Sequence, residues 1–221
     1  MVNKLKVCEM FQSISGESPD IGRNILFLRL SGCNLNCNFC DSSYHKKENK
    51  ELSIDEIIDE YIKYKANGIA ITGGEPFLQQ DNLLNLINTL DVNYTAIETN
   101  GTITPKIEFK SYGLKLNVSP KLENSGNKLI DRFKPDVLNH LNTNYNCIFK
   151  FVVQNQFDLP EIKTLIEKCS IPKYKVYLMA EGKTKTEQEA NQLNIIDMCL
   201  KEGFNFSPRL HILVWDSKRG V

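Results

Sequence analysis

The sequence lacks an excess of either charge. Its 221 residues carry 27 basic and 27 acidic side chains, which removes the bulk electrostatic attraction to nucleic acid or an anionic membrane. It also lacks any apolar run approaching the roughly 20 residues of a membrane-spanning helix. Met1 to Val7 leads straight into polar sequence, without the apolar region of a secretory signal. No internal repeat or linker divides the chain. These absences exclude repetitive, membrane-spanning and broadly nucleic-acid-binding classes. The expectation is a cytoplasmic protein with one domain over residues 1–221.

What is present is ordinary for a globular protein, with one exception. A hydrophobic fraction of 41% with 24% charged residues is enough apolar material for a core. A chain of this length buries roughly 70% of the surface its unfolded form exposes, so it needs no disulfide or structural metal to fold. The exception is seven cysteines, an odd number that a reducing compartment does not use for disulfides. Three of them fall within eight residues, in Cys33-Asn34-Leu35-Asn36-Cys37-Asn38-Phe39-Cys40.

Strand-like apolar runs alternate with helical patterns. Asn24–Leu30, Gly68–Thr72, Tyr94–Glu98, Leu114–Val118, Cys147–Val153, Tyr174–Met179 and Leu210–Trp215 read as strands. Ser53-Ile54-Asp55-Glu56 and Thr186-Glu187-Gln188-Glu189 read as capping boxes opening helices. Asp81 caps a further helix, and Asp158-Leu159-Pro160-Glu161 starts another. The polar, asparagine-rich segment of about 121–146 reads as irregular. Alternating strands and helices predict an α/β fold with a mostly parallel sheet, whose ligands sit beyond the carboxyl ends of the strands.

The C-x3-C-x2-C loop follows the first of these strands. Three thiols so spaced can be core residues, a zinc site completed by His45 or Asp41, or ligands of a cluster that leaves one metal position open. Cys8, Cys147, Cys169 and Cys199 lie in apolar or helical contexts and are expected in the core. With Phe39 before its last cysteine, the loop resembles that of radical S-adenosylmethionine enzymes. Thr72-Gly73-Gly74-Glu75-Pro76, about 33 residues further on, is similar to the GGEP motif of the same superfamily.

Other segments narrow the resemblance. Glu9 to Glu17, Phe27 to Cys33, Cys40-Asp41-Ser42, Glu98-Thr99-Asn100-Gly101, Val118-Ser119-Pro120-Lys121 and Leu210-His211 to Val221 resemble the 7-carboxy-7-deazaguanine synthase family over nearly the whole chain. The resemblance implies a single-domain partial (β/α) barrel, a shortened radical SAM core. It implies a carbon–nitrogen lyase of queuosine biosynthesis, acting on 6-carboxy-5,6,7,8-tetrahydropterin. A 5′-deoxyadenosyl radical would remove hydrogen from C6, the ring would contract, and 7-carboxy-7-deazaguanine would form with loss of ammonia.

The same resemblance implies site residues. Cys33, Cys37 and Cys40 would hold a 4Fe–4S cluster, and no protein side chain beyond cluster and cofactor would be catalytic. Gly74, Glu75, Glu98, Ser119, Pro120 and Lys121 would bind S-adenosylmethionine, with Glu75 meeting its ammonium. Ile14, Ser15, Gly16, Arg29, Thr72, His211 and Val221 would bind substrate, Arg29 through its carboxylate. Ser42 would supply an oxygen to Mg2+. Ser15 stands where many relatives have glutamine, leaving backbone contacts there; Ser42 replaces a frequent threonine but keeps the hydroxyl. A flavodoxin-type electron donor and a homodimer are expected, with neither nucleic acid nor membrane as partner. The alternatives are an activating enzyme of a glycyl-radical enzyme and a non-enzymatic zinc-binding module.

Overall fold

The computed structural model describes residues 3–221. Nine strands form one sheet in the order β3-β1-β2-β4-β5-β6-β7-β8-β9. They are β1 (Lys4–Ile14), β2 (Asn24–Leu30), β3 (Lys50–Ser53), β4 (Ile69–Gly73), β5 (Thr95–Thr99), β6 (Lys115–Val118), β7 (Asn146–Val153), β8 (Val176–Ala180) and β9 (Asn205–Phe206). β1 pairs antiparallel with β2 and β3, whereas β2 through β9 run parallel. The sheet curls without closing, as a partial barrel does.

Helices α1 (Ile54–Lys63), α2 (Gln80–Thr89), α3 (Leu129–Arg132), α4 (Pro135–Asn144), α5 (Leu159–Lys168), α6 (Lys185–Glu202) and α7 (Leu210–Trp215) fill the connections. Alternation along β2 explains the two sides of the sheet. Leu26, Leu28 and Leu30 are fully buried in the core, while Phe27 and Arg29 face a central cavity. Ile57 of α1, Leu83 and Leu86 of α2, Leu138 and Leu141 of α4, and Ile162 of α5 complete that core.

The parallel core follows the expected strands, and the Ser53 capping box is formed in full. Four expectations need correction. Leu210–Trp215 is the helix α7, not a strand: Ile212 is buried while Val214 is exposed, and a strand would place both on one face. The 121–146 segment is not irregular throughout. Pro135 begins α4, and the Leu138–Leu141 pair turns its asparagines outward. The second capping box uses Thr184, whose hydroxyl accepts from Glu187 N–H. Asp81 lies inside the first turn of α2, and its carboxylate pairs with Lys106.

The gap in the barrel is crossed by two loops. Ser18 N–H donates to Ser207 Oγ at 2.7 Å and Leu210 N–H donates to the Gly16 carbonyl at 2.9 Å. The loop after β1 is thereby strapped to the segment after β9. It carries Glu17 against Lys150 of β7 and Asp20 against Lys115 of β6, 2.9 Å apart.

Candidate active site

The register places the polar side chains of the parallel strands around one space. Arg29 of β2 pairs with Thr72 of β4, and Glu98 of β5 pairs with Asn117 of β6. Thr72 Oγ1 donates to Glu98 Oε2 at 2.9 Å, closing that row. These four side chains line a cavity of about 460 Å³, together with Cys33, Cys37 and Cys40. That volume lies in the range of small-molecule sites.

The cluster loop is held against the end of β4. Glu75 N–H donates to the Gly32 carbonyl at 2.9 Å, and a Cβ on Gly74 would lie 1.8 Å from that oxygen. Only glycine permits this approach. Around the thiols the structure provides N–H donors: Leu35 N–H lies 3.4 Å from Cys33 Sγ and Asn127 Nδ2 lies 3.3 Å from Cys37 Sγ. Burial raises the pKa of Cys33, with Lys121 acting against it. Burial in turn lowers that of Lys121, opposed by the Cys37 and Cys33 thiolates.

The donor set fits a cluster. Among the described residues, no three His, Cys, Asp or Glu side chains converge as ligands of one ion. A cubane bonds each thiolate to a different iron, so its cysteines face a common space without crowding one point. Cys33, Cys37 and Cys40 all line the one cavity, each half-buried.

The sequence profile of the Radical SAM superfamily matches residues 28–119. The chain is 35% identical to the 7-carboxy-7-deazaguanine synthase of Hyperthermus butylicus, over 95% of this chain and 92% of that one. It is 35% identical to the Halobacterium salinarum protein of that name, over 96% and 91%. For the Pyrobaculum aerophilum protein of the same name the identity is 32%, over 98% and 97%. The chain belongs to the 7-carboxy-7-deazaguanine synthase family. The crystal structure of QueE from Escherichia coli shares the fold, with a TM-score of 0.72 at 22% identity over 94% of this chain and 95% of that one. A 4Fe–4S cluster and S-adenosylmethionine are the cofactors this family membership brings.

Most residues expected at a synthase site open onto the one cavity: Ile14, Ser15, Gly16, Arg29, Ser42, Thr72, Gly74, Glu98, Ser119, Lys121, His211 and Val221. Glu75 and Pro120 do not line it. Glu75 is fully buried, and its carboxylate accepts from Thr99 Oγ1 at 2.8 Å, Asn100 N–H at 2.7 Å and Phe77 N–H at 3.1 Å. It ties β4 to β5: Oε1 takes the Phe77 and Thr99 bonds and Oε2 only that from Asn100, so Oε2 keeps an unused acceptor site. Three of the four outlying thiols are core residues as expected; Cys8 is only half-buried, with Arg219 Nη2 3.9 Å from its sulfur.

Two polar clusters were missing from the expected set. Arg29 Nε donates to Glu9 Oε1 at 2.7 Å, and Tyr44 Oη donates to the same oxygen at 2.8 Å. Burial and that bond push the Tyr44 phenol up to about 12. Deeper in the cavity, Glu17 pairs with Lys150 and, at 3.0 Å, with Arg209, which also holds Asp41. Burial opposes ionisation of Glu17, but Lys150, Arg209 and His211 outweigh it and hold the carboxyl far below its ordinary range. Lys150 left a signal in the sequence: a lysine between Phe149 and Phe151 in a doubly covered strand has only the barrel interior to face.

Proposed function

We propose that the chain converts 6-carboxy-5,6,7,8-tetrahydropterin to 7-carboxy-7-deazaguanine with loss of ammonia, in queuosine biosynthesis. One observation carries the reading: the three-cysteine loop and the Arg29 guanidinium open onto the same cavity. When bound, the cluster and S-adenosylmethionine supply one-electron cleavage to a 5′-deoxyadenosyl radical, chemistry that belongs to the cofactor.

The chain's own residues bind and orient. Arg29 spends its Nε on Glu9, which leaves both terminal nitrogens for the substrate carboxylate. Backbone groups of Ile14, Ser15 and Gly16, the Thr72 hydroxyl, His211 and Val221 surround the pterin. Gly74, Glu75, Glu98, Ser119, Pro120 and Lys121 form the S-adenosylmethionine side, Glu75 through the acceptor site left on Oε2. Burial lowers the pKa of His211 against the pull of Glu17, favouring a neutral imidazole at the substrate. Ser42, buried beside the cavity, supplies one oxygen for Mg2+.

The remaining features of the proposal are one domain over 1–221, a cytoplasmic location, a homodimer, and a flavodoxin-type protein as electron source. The test is anaerobic incubation of cluster-loaded protein with the tetrahydropterin, S-adenosylmethionine, Mg2+ and dithionite. Release of the deazaguanine supports the reading. Absence of product, with glycyl-radical formation on an added partner protein instead, overturns it.

A further inference from the structure

The loop 122–128 packs directly on the cluster loop, although nothing in its polar composition marks it as part of the site. Asn38 N–H donates to the Ser125 carbonyl at 3.0 Å. Gly126 has φ +77°, and a Cβ there would lie 2.4 Å from Asn38 Nδ2. The next side chain, Asn127, contacts both Cys37 and the residue before it. Its Oδ1 accepts Asn36 N–H at 2.8 Å, and its Nδ2 donates to Cys37 Sγ at 3.3 Å. The same Nδ2 lies 3.1 Å from Ser125 Oγ, while the Asn127 carbonyl takes Arg132 Nε at 3.2 Å. The amide is thus fixed in orientation with its N–H aimed at sulfur.

We infer that Asn127 is a positioning residue for the cluster: it orients the Cys37 thiolate and sets the reduction potential of the cluster that thiolate holds. The inference rests on the radical-enzyme reading above. An N–H bond to a ligand sulfur withdraws electron density from it and stabilises the reduced, more negative state, which raises the potential. Reduction is the step that admits the electron from outside, so the side chain acts on how readily the enzyme is primed. Cys33 accepts instead from the backbone, Leu35 N–H at 3.4 Å, and its side-chain donor, Asn100 Nδ2, stands farther off at 4.0 Å. The side-chain contribution, the part a substitution can remove, is accordingly greatest at Cys37.

The experiment is a dithionite titration of anaerobically reconstituted protein, with the reduced cluster followed by electron paramagnetic resonance and iron counted in parallel. In Asn127→Asp the acceptor for Asn36 N–H remains but the donor to sulfur is gone; in Asn127→Leu both are gone. We expect both variants to take up wild-type iron and to be reduced at a more negative midpoint. Ser125→Ala removes the competing oxygen, together with its bond to the Leu122 carbonyl, while keeping the Asn127 amide, and leaves the midpoint at the wild-type value or above it. Loaded Asn127 variants with an unshifted midpoint would overturn the inference. So would a folded Asn127 variant that takes up no iron, since it would assign the side chain to loop folding alone. Wild-type protein that forms no four-iron cluster would instead overturn the radical-enzyme reading itself.

Discussion

Arg219 Nε lies 2.8 Å from Glu9 Oε2, joining residues 210 positions apart and folding the C-terminal tail onto β1. The other oxygen of the same carboxylate holds Arg29. Arg219 also grips Glu48 at 2.6 Å and stacks 3.7 Å above the Tyr44 ring. One carboxylate thus connects the arginine facing the substrate with the latch of the tail, whose last residue, Val221, borders the cavity.

From this follows an expectation for Arg219→Ala. Losing the latch frees the tail and raises KM for the pterin several-fold more than it lowers kcat. Because Arg219 and Glu48 are exposed, added salt shrinks the difference between variant and wild type. Steady-state kinetics at two ionic strengths checks it; a KM equal to wild type would mean that the latch does not serve substrate binding.

Arg29→Ala takes away the carboxylate clamp itself. Binding is expected to weaken by on the order of 2–4 kcal/mol, the loss typical of truncating one partner in a buried charge pair. Iron content and S-adenosylmethionine binding stay as in wild type. Equilibrium binding of the substrate, measured with the cluster oxidised so that no turnover occurs, reads the loss directly.

Glu17 links stability to pH. Its folded-state pKa lies below its ordinary 4.5, so the stabilisation it contributes is complete above pH 4.5 and disappears as pH falls below that value. Glu17→Gln leaves Lys150 without its partner and is expected to cost about 3 kcal/mol at neutral pH. The gap between variant and wild type should narrow progressively below pH 4.5. Urea midpoints across this range, compared between the two proteins, check the sign.

Cysteine replacements divide by position. Cys37→Ala is expected to lose the cluster and all turnover. Cys199→Ala, in the core at 3% exposure, keeps its iron and turnover but melts at a lower temperature. Iron counts on both proteins distinguish them, and retained stoichiometric cluster in Cys37→Ala would remove that residue from the ligand set.

The sequence was most legible where one physical rule governs many residues. Parallel strands covered on both faces leave continuous apolar runs, and β2, β4, β5, β6 and β7 stand close to where such runs lie. The three thiols and the Gly73-Gly74 turn could be read because their spacing is local. The α7 helix could not, since a six-residue run, apolar but for His211, has no period long enough to separate helix from strand. Asn127 was hidden for another reason. Its partner Cys37 lies 90 positions away, and an asparagine-rich stretch looks like loop whether or not one of its amides meets a sulfur. Glu75 shows the opposite limit: the motif was visible, but only the fold reveals that its carboxylate also anchors Phe77, Thr99 and Asn100.

The most direct test combines metal and product on a single sample. Protein purified without oxygen should be brown, contain about four irons per chain, and on reduction with substrate and S-adenosylmethionine release 7-carboxy-7-deazaguanine while S-adenosylmethionine is regenerated. Colourless protein holding only zinc, or a four-iron protein that yields no deazaguanine under these conditions, would contradict it.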